Sequence, residues 1–209
     1  LAVQTTLSAE AVRAIFAKWE AAGLLGTYAA HYRFDMIHPL STVEVLRLGH
    51  RRKRDERLTT HVCLIARAMG VDRVWVTEED AELEKTLRSV VERFGGNFEI
   101  KTGVGWKTVM RNFKGTRVHL TMYGLPLKEA ITKIPKGDVL VIVGSEKVPG
   151  EVYRMADLNI AVGSQPHSEA GALAVFLDRF TGGSWEDRKF DGGLIEVIPT
   201  AHGKGVRKK

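Results

Sequence analysis

Cysteine is almost missing from this chain. Its one thiol, Cys63, cannot form an internal disulfide, so nothing here needs an oxidising compartment. The residue falls within a helical pattern and reads as a small buried hydrophobe, not a nucleophile. No apolar run approaches the length of a membrane span, and no basic segment followed by a continuous apolar stretch opens the chain. A cytoplasmic protein that stays off membranes is expected. No Gly-x-Gly-x-x-Gly follows the first strand-like run, which argues against a dinucleotide-binding half. Gly103-Val104-Gly105-Trp106-Lys107-Thr108 approximates a phosphate loop, but Trp106 stands where that loop needs glycine. The seven histidines lack short metal-ligand spacing and cysteine companions, so no metal is expected. Of these, His61 and His119 read as structural, hydrogen-bonded inside or beside the core, while His167 could contact a ligand or fix its own loop.

Present instead is an excess of positive charge in two places. Of a formal net charge of +6, much is concentrated in Arg47 to Arg57 and in Lys204 to Lys209. Clusters of this kind attract phosphates and favour nucleic acid. For the tail alone, a solvated and disordered surface segment is the expectation; for the first cluster, set just after a strand-like run, RNA or an anionic ligand is favoured.

At 209 residues the chain fits one domain with an appendage. Ser8 can cap a helix carrying Val12, Ile15, Phe16 and Trp19 on one face and ending at Gly23, and a connector follows to Thr42. From Val43 onward short β-rich runs alternate with amphipathic segments. Strands are predicted at Val43 to Leu46, Val74 to Val76, Phe98 to Ile100, Val118 to Thr121 and Val139 to Val143. The last of these, apolar on both faces, should be a central parallel strand. Thr77 is the expected cap of the helix that buries Leu83, Leu87 and Val90. The pattern predicts an α/β fold with a mostly parallel sheet and helices on both faces, closed by a small hairpin around Leu194 to Ile198.

Asn159 to Asp178 reads as strand, polar loop and helix: Ile160-Ala161-Val162, a break at Gly163, then Ser164-Gln165-Pro166-His167-Ser168-Glu169 before an apolar face with Leu173, Phe176, Leu177 and Phe180. Taken alone it is an ordinary strand-to-helix turn. If consecutive strands run parallel, however, the loops Leu120 to Gly124, Gly144 to Val148 and Val162 to Glu169 share one sheet edge and can converge on a pocket suited to an adenine ring and a ribose.

Gly144-Ser145-Glu146 after a buried strand, with Asn159 to Gly163 and its polar loop, resembles the SPOUT class of knotted RNA methyltransferases. More narrowly, Leu46 to Arg51, Arg54-Asp55-x-Arg57-x-Thr59-Thr60-His61-Val62, His119 to Gly124, Gly144-x-Glu146-Lys147-Val148-Pro149 and Gln165 to Glu169 together resemble the archaeal tRNA (cytidine-56) 2′-O-ribose methyltransferases. Five motifs in order, from about Val43 to Val206, make the resemblance specific.

That resemblance implies a C-terminal trefoil knot, a homodimer, a tRNA substrate and S-adenosylmethionine as cofactor. The chain is expected to divide into an N-terminal helical extension over 1–42, which has no counterpart in that family, a methyltransferase domain over 43–180 and a C-terminal extension with a basic tail over 181–209. By motif, the cofactor positions are Leu120, Gly144, Ser145, Glu146, Lys147, Val148, Val162, Gly163, Ser164, Gln165, Pro166, His167, Ser168 and Glu169. Arg57 and Arg54 are the candidate catalytic groups, with Asp55 orienting one of them. The apolar face containing Phe176 and Phe180 is a candidate contributor to the dimer. Base-nitrogen methylation within the same superfamily, or a non-catalytic RNA-binding module, are the alternatives.

Overall fold

A computed structural model describes Lys18 and residues 41–145 and 147–209, the side chains of residues 52–54 excepted. The helix expected from Ser8 and nearly all of its connector lie outside the described residues, as does Glu146.

Six strands form one sheet in the order β3-β2-β1-β5-β4-β6: β1 Val43–Leu48, β2 Arg73–Val76, β3 Glu99–Lys101, β4 Thr116–Pro126, β5 Val139–Gly144 and β6 Leu158–Ala161. Every pairing within this sheet is parallel. The helices are α1 Arg52–Ala68, α2 Ala81–Phe94, α3 Trp106–Asn112, α4 Leu127–Ala130, α5 Gly150–Met155 and α6 Glu169–Thr181.

The run expected at the centre is there, and its period-2 geometry explains why it is apolar throughout. Val139, Val141 and Val143 face a core shared with Val62, Cys63 and Ala66 of α1, Leu83 and Leu87 of α2, and Leu173, Phe176 and Leu177 of α6. Leu140 and Ile142 face a smaller core with Met110 of α3 and Val152 of α5. Helices therefore cover both faces, as the sequence pattern predicts. Cys63 is fully buried, which pushes its thiol up to about 12 and leaves it inert.

Four expectations are corrected here. Helix α2 is capped by Asp80, whose carboxylate accepts from the Leu83 N–H, and not by Thr77. Thr77 and Glu78 are engaged elsewhere: the Thr77 hydroxyl accepts from Gly49 N–H and the Glu78 carboxylate from His50 N–H, so the helix begins later. Phe176 and Phe180 are both buried within the protomer, their rings stacked at 5.6 Å, and so are not available to a dimer surface. His61 lies on the exposed side of α1 and not in or beside the core. Finally, the basic tail is ordered as β8 Gly205–Lys208, antiparallel to β7 Ile195–Ile198, with Arg207 paired to Glu196. Val197↔Val206 at the middle of that register supplies the cross-strand contact a short hairpin needs.

Ser168 caps α6, its hydroxyl accepting from the N–H groups of Ala170 and Gly171 at 3.1 and 3.4 Å. Replacing Ser168 with alanine should lower stability by about 1 kcal/mol, read as a shifted urea midpoint at unchanged slope. A midpoint equal to wild type would show that the cap contributes nothing.

Candidate functional site

Because β4, β5 and β6 run parallel, their C-terminal ends open on one edge of the sheet. A cavity of about 290 Å³ lies there. Its floor depends on an irregularity in β4. Leu120 and Leu125 both register on Ile160 of β6, so residues 121–124 loop out of the ladder and form one wall. The loops after β5 and β6 form the others.

Nine of the expected cofactor positions line this cavity: Leu120, Gly144, Ser145, Val148, Val162, Gln165, Pro166, His167 and Glu169. Gly163 and Ser164 instead line a larger, neighbouring hollow of about 680 Å³, which shares Met122 and Val162 with the first. Lys147 and Ser168 line neither; Ser168 is spent on the cap of α6. Tyr153 and Ala172 also line the cavity without a sequence signal of their own, and His119, buried and hydrogen-bonded as the sequence suggests, lines it too. Tyr153 comes from the one-and-a-half-turn helix α5, too short for a periodic signal.

The chemistry of the lining is mixed. Leu120, Val148, Val162 and Ala172 offer apolar contact, while Thr121, Tyr153, Gln165 and Glu169 offer hydrogen-bonding groups. Thr121 and Tyr153 hydroxyls bond each other at 3.2 Å. Both ring nitrogens of His167 face carbonyl oxygens, those of Ser168 and Val162, and these acceptors raise its pKa by favouring the doubly protonated ring. His167 thereby ties the polar loop to the end of β6.

His119 is fully buried at the back of the cavity. Asn159 Nδ2 donates to Tyr153 O at 2.9 Å, so Asn159 Oδ1 is the acceptor for His119 Nδ1–H at 2.8 Å. Its edge-on contact with Tyr153 holds the ring in place. Burial lowers its pKa, with the Asn159 bond opposing in part. Since the unfolded state then binds the proton more readily, the stability owed to neutral His119 is complete above the ordinary histidine value. It is lost as pH falls below that value towards the depressed folded one. The wild-type urea midpoint should therefore decline more steeply from pH 7.5 to 5 than that of His119→Gln; parallel declines would remove His119 as the cause.

The basic segment enters the site through a tight turn. Gly49 has φ +74°, a left-handed conformation that glycine adopts without strain, and Ser145 N–H donates to Leu48 O at 3.1 Å beside it. His50 is buried between α1 and the cap of α2, its ring bonded to Thr59 Oγ1 at 2.9 Å and Asp80 Oδ2 at 2.8 Å. The start of α1 is consequently fixed against the sheet edge while Arg51 and Arg57 stay exposed.

Of the two candidate arginines for Asp55 to orient, Arg54 has its side chain outside the described residues, and Arg57 is not the partner Asp55 takes. Its carboxylate pairs with Arg51, accepting from Nε at 2.9 Å and from the backbone N–H at 3.2 Å, and the Arg51 bonds hold its pKa below the usual carboxylate range. Spacing is the reason: residues four apart share a helix face, whereas residues two apart point to different sides.

The sequence matches, over residues 94–207, the family described as tRNA ribose 2′-O-methyltransferase, aTrm56. It is 54% identical over 165 residues to the tRNA (cytidine(56)-2′-O)-methyltransferase of Archaeoglobus fulgidus, which covers 78% of this chain and 97% of that protein. A protein of the same name from Picrophilus torridus is 51% identical over 166 residues, covering 79% of this chain and 48% of its own length. The chain thus spans about half the length of the Picrophilus relative and nearly all of the Archaeoglobus one. Among solved structures, an RNA 2′-O ribose methyltransferase superposes with TM-score 0.53 at 15% identity, over 68% of this chain and 57% of that one. A SpoU methyltransferase of Streptomyces viridochromogenes, solved with AdoMet, gives TM-score 0.51 at 12% identity, over 72% and 61%. At such identities the two structures speak for the fold alone. Alike in sequence to the first relative over almost all of that protein's length, and built on the same sheet as the solved methyltransferases, the chain belongs to the tRNA ribose 2′-O-methyltransferase, aTrm56, family.

Proposed function

We propose that this protein methylates the ribose 2′-hydroxyl of a tRNA, cytidine 56 in the T-loop, using S-adenosylmethionine, and that it does so in the cytoplasm. The observation that carries the proposal is the convergence of three strand ends distant in sequence, at Leu120, Gly144 and Val162, on one cavity that adjoins the basic segment. The lining fits the cofactor: apolar side chains for an adenine, hydroxyl, amide and carboxylate groups for a ribose and an amino acid end. S-adenosylmethionine supplies an electrophilic methyl group on a sulfonium. The protein's own task is to hold the weakly nucleophilic 2′-oxygen in line with that methyl and to stabilise the negative charge that grows on it as its proton passes to solvent water. An arginine of the basic segment suits both tasks, its planar fork also gripping the neighbouring phosphate.

A trefoil knot at this end of the sheet is part of the same proposal, as is a homodimer. Exposed Met122 and Val175 line the larger hollow, and a second copy placed over it would bury them. Glu146, Lys147 and Ser168 retain their proposed membership of the cofactor segments. So do the three divisions of the chain.

Incubating unmodified tRNA transcript with methyl-labelled cofactor, then mapping the modified nucleotide, tests the proposal. Label on the ribose of cytidine 56 is the expected result. Label on a base would mean a base-nitrogen methyltransferase, and no incorporation into any tRNA would overturn the activity.

A further inference from the structure

Arg47 is charged and fully buried. It lies on β1, which pairs with the central strand β5, and shares strand parity with Val43 and Val45, so it points towards the core beneath α1 and α6. One of its terminal nitrogens donates to Leu48 O at 2.8 Å. The other donates to Glu169 Oε1 at 2.7 Å, across 122 residues of sequence. Its Nε–H has no partner among the described residues. Burial lowers the arginine pKa, and the carboxylates of Glu169, Asp55 and Glu78 oppose that. Removing a guanidinium from water and leaving one donor unsatisfied costs more than an apolar side chain would at the same place. As a device for stability alone, the pair is poor.

Its location suggests what it does provide. Glu169 is the first residue of α6 and lines the cavity, where it is the one carboxylate among the described lining residues. Its side chain is about one-fifth exposed, against zero for Arg47. Only Oε1 is engaged by the guanidinium. We propose that Arg47 is a positioning residue for the methyl-transfer pocket: it fixes the Glu169 carboxylate from below, leaving the second oxygen to accept a hydrogen bond from a hydroxyl or ammonium donor of the nucleoside cofactor. The inference rests on the proposed activity. It goes beyond it in giving a residue outside all of the cofactor segments a share in cofactor binding.

A charge-assisted hydrogen bond depends on the direction of the carboxylate as well as its presence. The comparison that separates positioning from mere support uses Arg47→Met, Glu169→Met and the double substitution, with thermal unfolding and calorimetric titration of S-adenosylmethionine measured on each. Either single change leaves a buried charge alone and should lower Tm. The double change removes both charges and should restore Tm to near wild type, because an apolar pair of similar volume replaces a buried ion pair at little cost. Cofactor affinity should fall by about tenfold in Arg47→Met, where Glu169 is present but no longer directed, and stay reduced in the double variant, the usual worth of one lost hydrogen bond to a charged group. A folded Arg47→Met with wild-type affinity overturns the proposal. Affinity that recovers together with Tm would make the pair a strut and overturn the proposal.

If the Met variants do not fold, the isosteric Glu169→Gln decides: a folded variant with wild-type affinity overturns the proposal. Competition by adenosine then identifies the donor. Weakened adenosine binding in Glu169→Gln assigns a ribose hydroxyl, and weakening confined to S-adenosylmethionine assigns the ammonium. Wild-type protein that gives no saturable heat with S-adenosylmethionine would sink the proposed activity and this inference with it. Wild-type binding matched by the double variant sinks the inference alone.

Discussion

Arg54→Ala or Arg57→Ala should reduce methyl transfer by about 10²- to 10³-fold while leaving the affinity for S-adenosylmethionine within about twofold of wild type. The reason is a division of labour visible in the fold. The cavity is built from the ends of β4, β5 and β6 and from the first turn of α6. The basic segment is contributed separately by β1 and α1: Arg47 holds Glu169 from below, and Gly49 lies beside Ser145 at the cavity's edge. Cofactor contacts can therefore survive the loss of a guanidinium at the start of α1, but the growing charge on the 2′-oxygen cannot be met without one. Single-turnover assays with saturating cofactor, set beside calorimetry on the same variants, make the measurement. Near-normal turnover in both variants would place the essential group elsewhere. Asp55 is a control: its carboxylate is committed to Arg51, so Asp55→Asn should act through the anchoring of α1 and not through Arg57.

Why the fold was so legible and the site only partly so follows from the range of the interactions involved. Val139 to Val143 is apolar at every position because the strand is covered on both faces, a local signal that survives without knowing the partners. Capping at Ser168 is equally local, a hydroxyl two and three residues before the N–H groups it serves. The convergence of the three loops also follows from strand direction, once the sheet is taken as parallel. By contrast, Thr77 does not cap α2 because Thr77 and Glu78 are held by Gly49 and His50, 28 residues earlier, which no local pattern records. For Phe176 and Phe180 the helix stripe states that a face is buried without stating whether against the same protomer or a second copy.

Arg47 lies between these cases. Its parity with Val43 and Val45 in VEVLRL marks it as an inward-facing charge, a signal available in the sequence. Its partner is not, since Glu169 reaches it only after the chain has laid down five further strands. The basic character of the surrounding segment hid it further, because a run of arginines reads as one solvated cluster. Among the described side chains that run holds an arginine buried under the pocket, an arginine paired with Asp55, and an exposed arginine that can face a substrate. Net charge alone distinguishes none of the three.

Gly124→Ala should abolish cofactor binding and cost about 3 kcal/mol of stability or more, the upper range for overpacking in a closed site. Gly124 ends the looped-out stretch of β4 just before Leu125 resumes pairing with β6. A Cβ built there would stand 2.5 Å from the carbonyl carbon of Asn159 and 2.5 Å from the amide nitrogen of Ile160. Both obstacles are backbone of the neighbouring strand and cannot rotate away as a side chain tip could. Relief requires β4 and β6 to separate at Leu125 and Pro126, which moves residues 121–124 and Val162 together. Those residues form the partition between the two hollows, so the cofactor wall and the exposed surface around Met122 are disturbed at once. Gly171→Ala is the matched comparison. It adds the same methyl group on the first turns of α6, where nothing lies within 4 Å of the new atom, and alanine favours the helix. That variant should be at least as stable as wild type and bind cofactor normally. Equal affinity and equal urea midpoints for the two variants would mean that β4 can leave β6 without cost, and that the irregular register at Leu120 and Leu125 does not shape the pocket.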